Sequence, residues 1–279
     1  MFYIVTSLIA AGMMGAGDFF GGLAAKRAPV AVVGFIGQVI GLLVVAALLA
    51  VGSETFAYAP FIIGVSAGAC GSVALLSLYR GLAIGRVAIV APVSAVLGAL
   101  LPVVIAIIAG HEFGIPKWIG IISGLAAVYV LSLPGTEEDE QSKESGLMLA
   151  IVAGVALAFF YMLLGNEETH GSIWTLLGER CSVVLIMLVV MLIRRQFSIS
   201  RKTPALSYII TAGACDIIGN LSFLHSAAHG PLPMVALISS LYPAMTIFLG
   251  WLLLREPLTK RLFLGIMLAF ICITLFALH

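Results

Sequence analysis

Apolar residues fill nearly the whole chain in runs of roughly 17–23 residues, broken at regular intervals by short polar or Gly/Pro-bearing segments. These runs predict helices near 3–24, 30–50, 59–79, 87–109, 117–133, 147–164, 173–193, 204–224, 232–253 and 262–278. At about 1.5 Å rise per residue, most are long enough to cross a hydrocarbon layer of about 30 Å. The segments 117–133 and 147–164 are at the short end. The longest polar stretch, PGTEEDEQSKESG at 134–146, is acidic and has the composition of an exposed linker. RRQFSISRKTP at 194–204 is the other charged loop, and no loop is large enough to form a soluble catalytic domain.

The chain contains itself twice. AGAC at 67–70 recurs at 212–215, an offset of 145. The same offset pairs Ser77 with Ser222, Gly85 with Gly230, Val90-Ala91 with Val235-Ala236, Ser94 with Ser239 and Gly120-Ile121 with Gly265-Ile266. The register of the first two helices of each half stays open. The units are residues 1–133, the linker 134–146 and residues 147–279. Each repeat holds five spans. After an odd number of crossings the chain has changed sides, so the second repeat enters the membrane upside down. The expected fold is an all-α membrane protein of ten transmembrane helices arranged as two inverted five-helix repeats.

The stretch RGLAIGRVAIVAPVSAVLGALLPVVIAIIAGHEFGIPKWIGIISGLAAVYVL, from Arg80, resembles the first EamA domain of the drug/metabolite transporter (DMT) superfamily. VALISSLYPAMTIFLGWLLLREPLTKRLFLGIMLAFICITLFAL, from Val235, resembles the second. The features in common are small residues, a proline, and a glutamate after the fourth span of each half, here Glu112 and Glu256. The resemblance implies a ten-helix carrier for small metabolites, amino acids or drugs, often an exporter. It also implies a central cavity lined by helices 1–4 and 6–9, with helices 5 and 10 at the periphery.

Composition agrees with a membrane chain: 62% of the residues are hydrophobic and 10% are charged. A soluble domain carries about 25% charge, and disorder needs low hydrophobicity and high charge. The net charge of +1 offers no basic face to nucleic acid. Cys70, Cys181, Cys215 and Cys272 stand far apart inside apolar runs, as packing residues rather than disulfides or metal ligands. The N-terminus has no basic stretch ahead of its apolar run and reads as a retained first span. Loops 1–2, 3–4, 5–6, 7–8 and 9–10 hold twelve Lys and Arg, the opposite loops only Lys117. The bias puts those loops inside and both termini outside a bacterial-type inner (plasma) membrane, whereas the resemblance implies cytoplasmic termini.

Ionisable groups inside a bilayer are costly and are functional candidates by default. Asp18, among the glycines of helix 1, suits a proton or substrate-amine site, or a hydrogen bond to a neighbouring helix. Glu179 and Arg180 in helix 7 point about 100° apart, so they do not simply pair with each other. Arg180 suits a carboxylate held by a bidentate fork, or an interhelical ion pair. Asp216 and Asn220 share one face of helix 8, and Asp216 stands where the first repeat has Gly71. That loss of symmetry suits an asymmetric ligand. Gln38, Tyr161, Ser94 and Ser239 complete the expected substrate-binding set, although membrane Ser hydroxyls commonly bond their own backbone. Tyr79, Trp174, Tyr242 and Trp251 are cavity aromatics or, near span ends, interfacial belt residues. His225 and His229, near the junction of helices 8 and 9, lack an H-E-x-x-H setting for metal. Pro92, Pro102 and Pro243 fall inside helices 4 and 9 as kinks or hinges, and Glu112 and Glu256 suit caps for the turn that follows them.

The expected function is a secondary transporter exporting small metabolites such as amino acids or drug-like compounds by alternating access, with protons as a candidate coupling ion. No phosphate-cradling loop of the ATPase kind is present, and neither D-D-x-x-D, G-x-S-x-G nor H-E-x-x-H occurs. An enzyme is therefore not expected, nor is a cofactor or metal. The alternatives are an uptake carrier for sugars or other metabolites, and a lipid flippase.

Overall fold

The computed structural model describes residues 2–52, 55–108, 114–132, 137–164, 172–196, 205–229, 235, 238–239, 241–256 and 259–277. Glu112, Arg201 and Lys202, and the side chains of Pro102, Lys117 and Lys143, lie outside the described set. Ten helices are described: α1 Phe2–Ala25, α2 Val30–Val51, α3 Tyr58–Ile84, α4 Val87–Ile108, α5 Ile115–Ser132, α6 Glu137–Leu164, α7 Ile173–Arg194, α8 Ala205–His229, α9 Tyr242–Leu254 and α10 Lys260–Ala277. The sequence repeat recurs in their boundaries: a shift of 145 residues lays α5 on α10, and α3 on α8 to within two residues at the start.

Three boundaries differ from the expected ones. Helix α6 starts at Glu137, so most of the expected acidic linker is helical. Glu, Gln and Lys are good helix formers, and acidic residues favour a helix N-terminus, where the macrodipole is positive. Helix α8 runs on to His229, which puts both histidines inside it rather than beyond its end. Helix α9 is described from Tyr242, and Pro243 sits in its first turn. Val235, Ile238 and Ser239 ahead of it are helical too, and Leu241 is a turn, so the break in the span falls at the proline, in keeping with the expected kink.

Close contacts set the helix directions. Gly17 of α1 lies against Ala212 and Asp216 of α8, and Met14 against Gly219, so α1 and α8 are antiparallel. The same reasoning makes α3 and α6 antiparallel, through Gly71 with Phe160 and Gly81 with Leu149. Helices α2 and α7 are antiparallel too, through Gly34 with Met187 and Gly41 with Arg180. In contrast, α3 and α7 are parallel, because Gly64 meets Thr175 while Gly68 meets Glu179 and Ser182. Gly21 with Tyr79 and Gly22 with Leu82 make α1 parallel to α3. Helix α3 and its repeat mate α8 therefore point in opposite directions, as inversion requires. The packing repeats as well: the Gly37–Gly213 contact of α2 on α8 has its mate at the 145-residue offset in Ser182 on Gly68, α7 on α3. Helices α5 and α10 pack chiefly on each other and on α4.

Between lipid and helix there is little hydrophobic gain to be had, so small residues that let backbones approach carry the association. Hydrogen bonds add to it: Thr246 donates to the Gly15 carbonyl (2.9 Å), tying α9 to α1, and Ser226 donates to Thr6 (2.5 Å), tying α8 to α1. Glu256 accepts from the Val87 and Ala88 N–H groups (3.1 and 3.2 Å). It thus caps α4 of the other repeat rather than the turn that follows it. Outward, the pattern is that of a lipid-facing wall. Ile119, Ile122, Leu125 and Tyr129 form one exposed stripe on α5, and Phe263, Leu264, Met267 and Ile271 another on α10. Among the described residues six helices are long and apolar enough to cross a membrane, and Val87–Gly98, Trp118–Ala127 and Tyr242–Leu254 are shorter apolar helices.

Candidate functional site

Arg180 is the largest fully buried side chain, 1% exposed, in a chain with few charges. Its Nη1 donates to Asp216 Oδ2 of α8 at 2.6 Å and to Gln38 Oε1 of α2. Asn220, one turn after Asp216, donates to the Asp216 carbonyl (2.8 Å) and to its Oδ1 (3.2 Å), which fixes the carboxylate rotamer. Room for the guanidinium comes from Gly41 on α2. A Cβ there would lie 3.2 Å from Arg180 Nε and 3.4 Å from its Cζ. Three helices, one from the first repeat and two from the second, thus build one polar node. Arg180 Nε and Nη2 are buried without a hydrogen-bond partner among the described residues. Unsatisfied buried donors of a charged group are costly, and a planar fork whose Nε–Nη2 edge is free matches a carboxylate.

Asp18 stands next to Gly17, where α1 comes closest to Asp216, and it is only partly buried. The Asp18 and Asp216 carboxylates interact electrostatically, and Tyr79 shares the field of Asp18, Asp216 and Arg180. Tyr161 of α6, 43% exposed, also senses Asp18 and is hydrogen-bonded to Tyr242. Asp18, Gln38, Tyr161, Arg180, Asp216 and Asn220 therefore belong to one neighbourhood. Asp216 is paired with Arg180, and Asp18 is the carboxylate of this neighbourhood outside that pair.

The two expected serines behave differently. Ser94 donates to the Ala91 carbonyl (3.0 Å) within α4 and packs against Gly154, so its hydroxyl serves the helix. Ser239 Oγ is buried and unpartnered among the described residues. Glu179 is buried, and its backbone packs on Gly68 of α3. His225 and His229 stack on each other at 4.3 Å beside Phe2, and no His/Cys/Asp/Glu group of metal-binding size occurs among the described residues. Trp174 meets Phe56 edge-on, and Trp251 is half-exposed. Gly41 was missed by the sequence reading, and Tyr79 was undervalued. A third span ending at 79 leaves Tyr79 open as a cavity aromatic or an interfacial residue; α3 continues to Ile84 and keeps it inside, 6% exposed.

Residues 144–278 match the profile of the EamA-like transporter family. An uncharacterized protein of Methanocaldococcus jannaschii, MJ1333.1, is 28% identical over 130 residues, covering 91% of that protein and 47% of this chain. A relative of that extent has about the length of one five-helix repeat. A solved protein crystal structure superposes with a TM-score of 0.62 at 14% identity, covering 97% of this chain and 96% of the other. That likeness shows the fold. The ten-helix architecture and the EamA match agree with the resemblance read from the two repeats.

Proposed function

We propose that this chain, whose second half is an EamA-like transporter domain, is a secondary carrier that exports small metabolites bearing both a carboxylate and an amine, by alternating access between its two repeats. The single observation that carries the substrate class is the buried Arg180, held by Asp216 and Gln38 with Nε and Nη2 unused. In the proposed binding mode a substrate carboxylate takes the free edge of the guanidinium, and the ammonium faces Asp18. Asn220 and Gln38 hold the charged pair in place, and Tyr161 and Tyr242 flank the Asp18 side. A proton at Asp18 is the candidate coupling ion when substrate is absent.

The inverted packing supports the mechanism. The two repeats contact each other through mirrored pairs such as Gly37–Gly213 and Gly68–Ser182, so exchanging the roles of the two halves opens the site to the opposite side. The Lys/Arg bias supports a cytoplasmic basic end.

Counterflow in proteoliposomes tests this reading. Preloaded unlabelled amino acids should drive accumulation of the same labelled compounds, while sugars and singly charged cations should not. A strain lacking the protein should retain more of the active compound. Exchange of sugars alone, or reduction of a fluorescent lipid reporter without solute exchange, would replace the proposal with an uptake carrier or a flippase.

A further inference from the structure

We propose that a pocket at the basic end of the molecule, between α2, α3 and α7, binds the phosphate of an anionic phospholipid drawn from the surrounding bilayer. This pocket encloses about 370 Å³. Its rim carries Arg80 of α3, Arg194 of α7 and Gln196, all exposed, and its lining includes no carboxylate among the described residues. Its walls are apolar: Leu76 and Val190 face the start of α2, above the core cluster of Val32, Val183 and Met187. A cationic rim over an apolar wall matches a molecule with an anionic head and a hydrocarbon tail. A soluble phosphate would gain only from the rim.

The helix directions explain why the two arginines meet. Because α3 and α7 are parallel, their C-terminal ends come to the same face, and α2 begins there. The opening turn of α2 adds to the positive field. Its preceding residue, Pro29, has an apolar ring and makes no capping hydrogen bond. The first amides to bond within the helix are those of Val32 and Val33, both to the Pro29 carbonyl. The Val30 and Ala31 N–H groups precede them at the pocket wall, at the positive end of a 22-residue helix. The site is far from the Arg180 node along α7 and takes no part in the transport chemistry argued above. Exposed Leu192 and Ile193 continue the surface of α7 toward lipid, giving an acyl chain a path.

Native mass spectrometry of the full-length protein, released from detergent with added lipid, tests the assignment. Wild-type protein should retain phosphatidylglycerol or cardiolipin and not phosphatidylcholine. The variant R80Q/R194Q should retain at least roughly 10-fold less, on the basis of about 1 kcal/mol per basic residue near an anionic surface. The variant K26Q/K260Q loses the same charge at the same end but outside the pocket, and should retain the wild-type amount. Equal loss in both variants would show a diffuse surface charge and overturn the site. So would undiminished retention in R80Q/R194Q, or displacement of the lipid by millimolar inorganic phosphate or glycerol phosphate. Circular dichroism of R80Q/R194Q should match wild type, since both side chains are on the surface.

Discussion

At the scale of single residues, the account turns on Arg180 and its partners. Arg180 is buried and Asp216 only partly so, so removing the carboxylate strands a buried charge at a cost of about 3–5 kcal/mol, while removing the arginine costs less. R180Q and D216N should each lower the thermal unfolding temperature and reduce counterflow by at least tenfold. Combining them replaces the pair by two neutral, hydrogen-bonding amides. The double variant R180Q/D216N should therefore unfold closer to wild type, yet still fail to exchange substrate. Stability separates from activity only if the pair has a task beyond holding α7 to α8, so recovery of both together would reduce Arg180 to a packing residue. The sequence pointed to this node: Gln38, Arg180, Asp216 and Asn220 were each singled out as polar groups in an apolar run. What it could not reveal was their pairing. Arg180 and Asp216 are 36 residues apart, on helices α7 and α8 that are brought together by packing on α2, where Gly41 makes room.

At the scale of helices, glycines decide how closely the repeats approach, and they do not do so symmetrically. A Cβ at Gly213 would come within 2.8 Å of the Gly37 backbone, with no flexible side chain to give way. A Cβ at Gly37 would have its nearest neighbour at 3.7 Å. Overpacking of this kind costs about 1–3 kcal/mol, whereas replacing a helical glycine by alanine where space allows gains up to about 1 kcal/mol. G213A should therefore lower the midpoint of thermal unfolding in detergent, and G37A should leave it unchanged or raise it. Equal shifts would mean that α2 and α8 do not meet there. Helix ends were the least legible feature in the sequence. The acidic stretch at 137–145 is polar enough to read as a loop, yet Glu, Gln and Lys suit a helix whose side chains need no apolar partner. Pro243 is legible as a break in an apolar span, whereas the point at which the helix resumes, Tyr242, is not. Glu256 showed its kind of role, capping, but not its target, since α4 lies 168 residues earlier in the chain.

At the scale of the whole molecule, the repeat was the most legible feature. An offset of 145 residues, read from matches such as AGAC at 67–70 and 212–215, carries through to the boundaries of α3 with α8 and of α5 with α10. It also carries to contacts that no sequence match announced, Gly37–Gly213 with Ser182–Gly68. Inversion follows from counting five crossings per repeat, and the observed helix directions agree with it. The most direct test uses two exposed positions at the same offset, Val51 at the end of α2 and Gln196 after α7. In a protein whose four cysteines have been replaced, V51C and Q196C are each labelled with a membrane-impermeant maleimide, in right-side-out and in inverted vesicles. Five helices separate the two positions, so residue 51 should react from the outer face only and residue 196 from the cytoplasmic face only. Labelling of both from the same face would contradict the inverted repeat, and with it the site placed between the two halves.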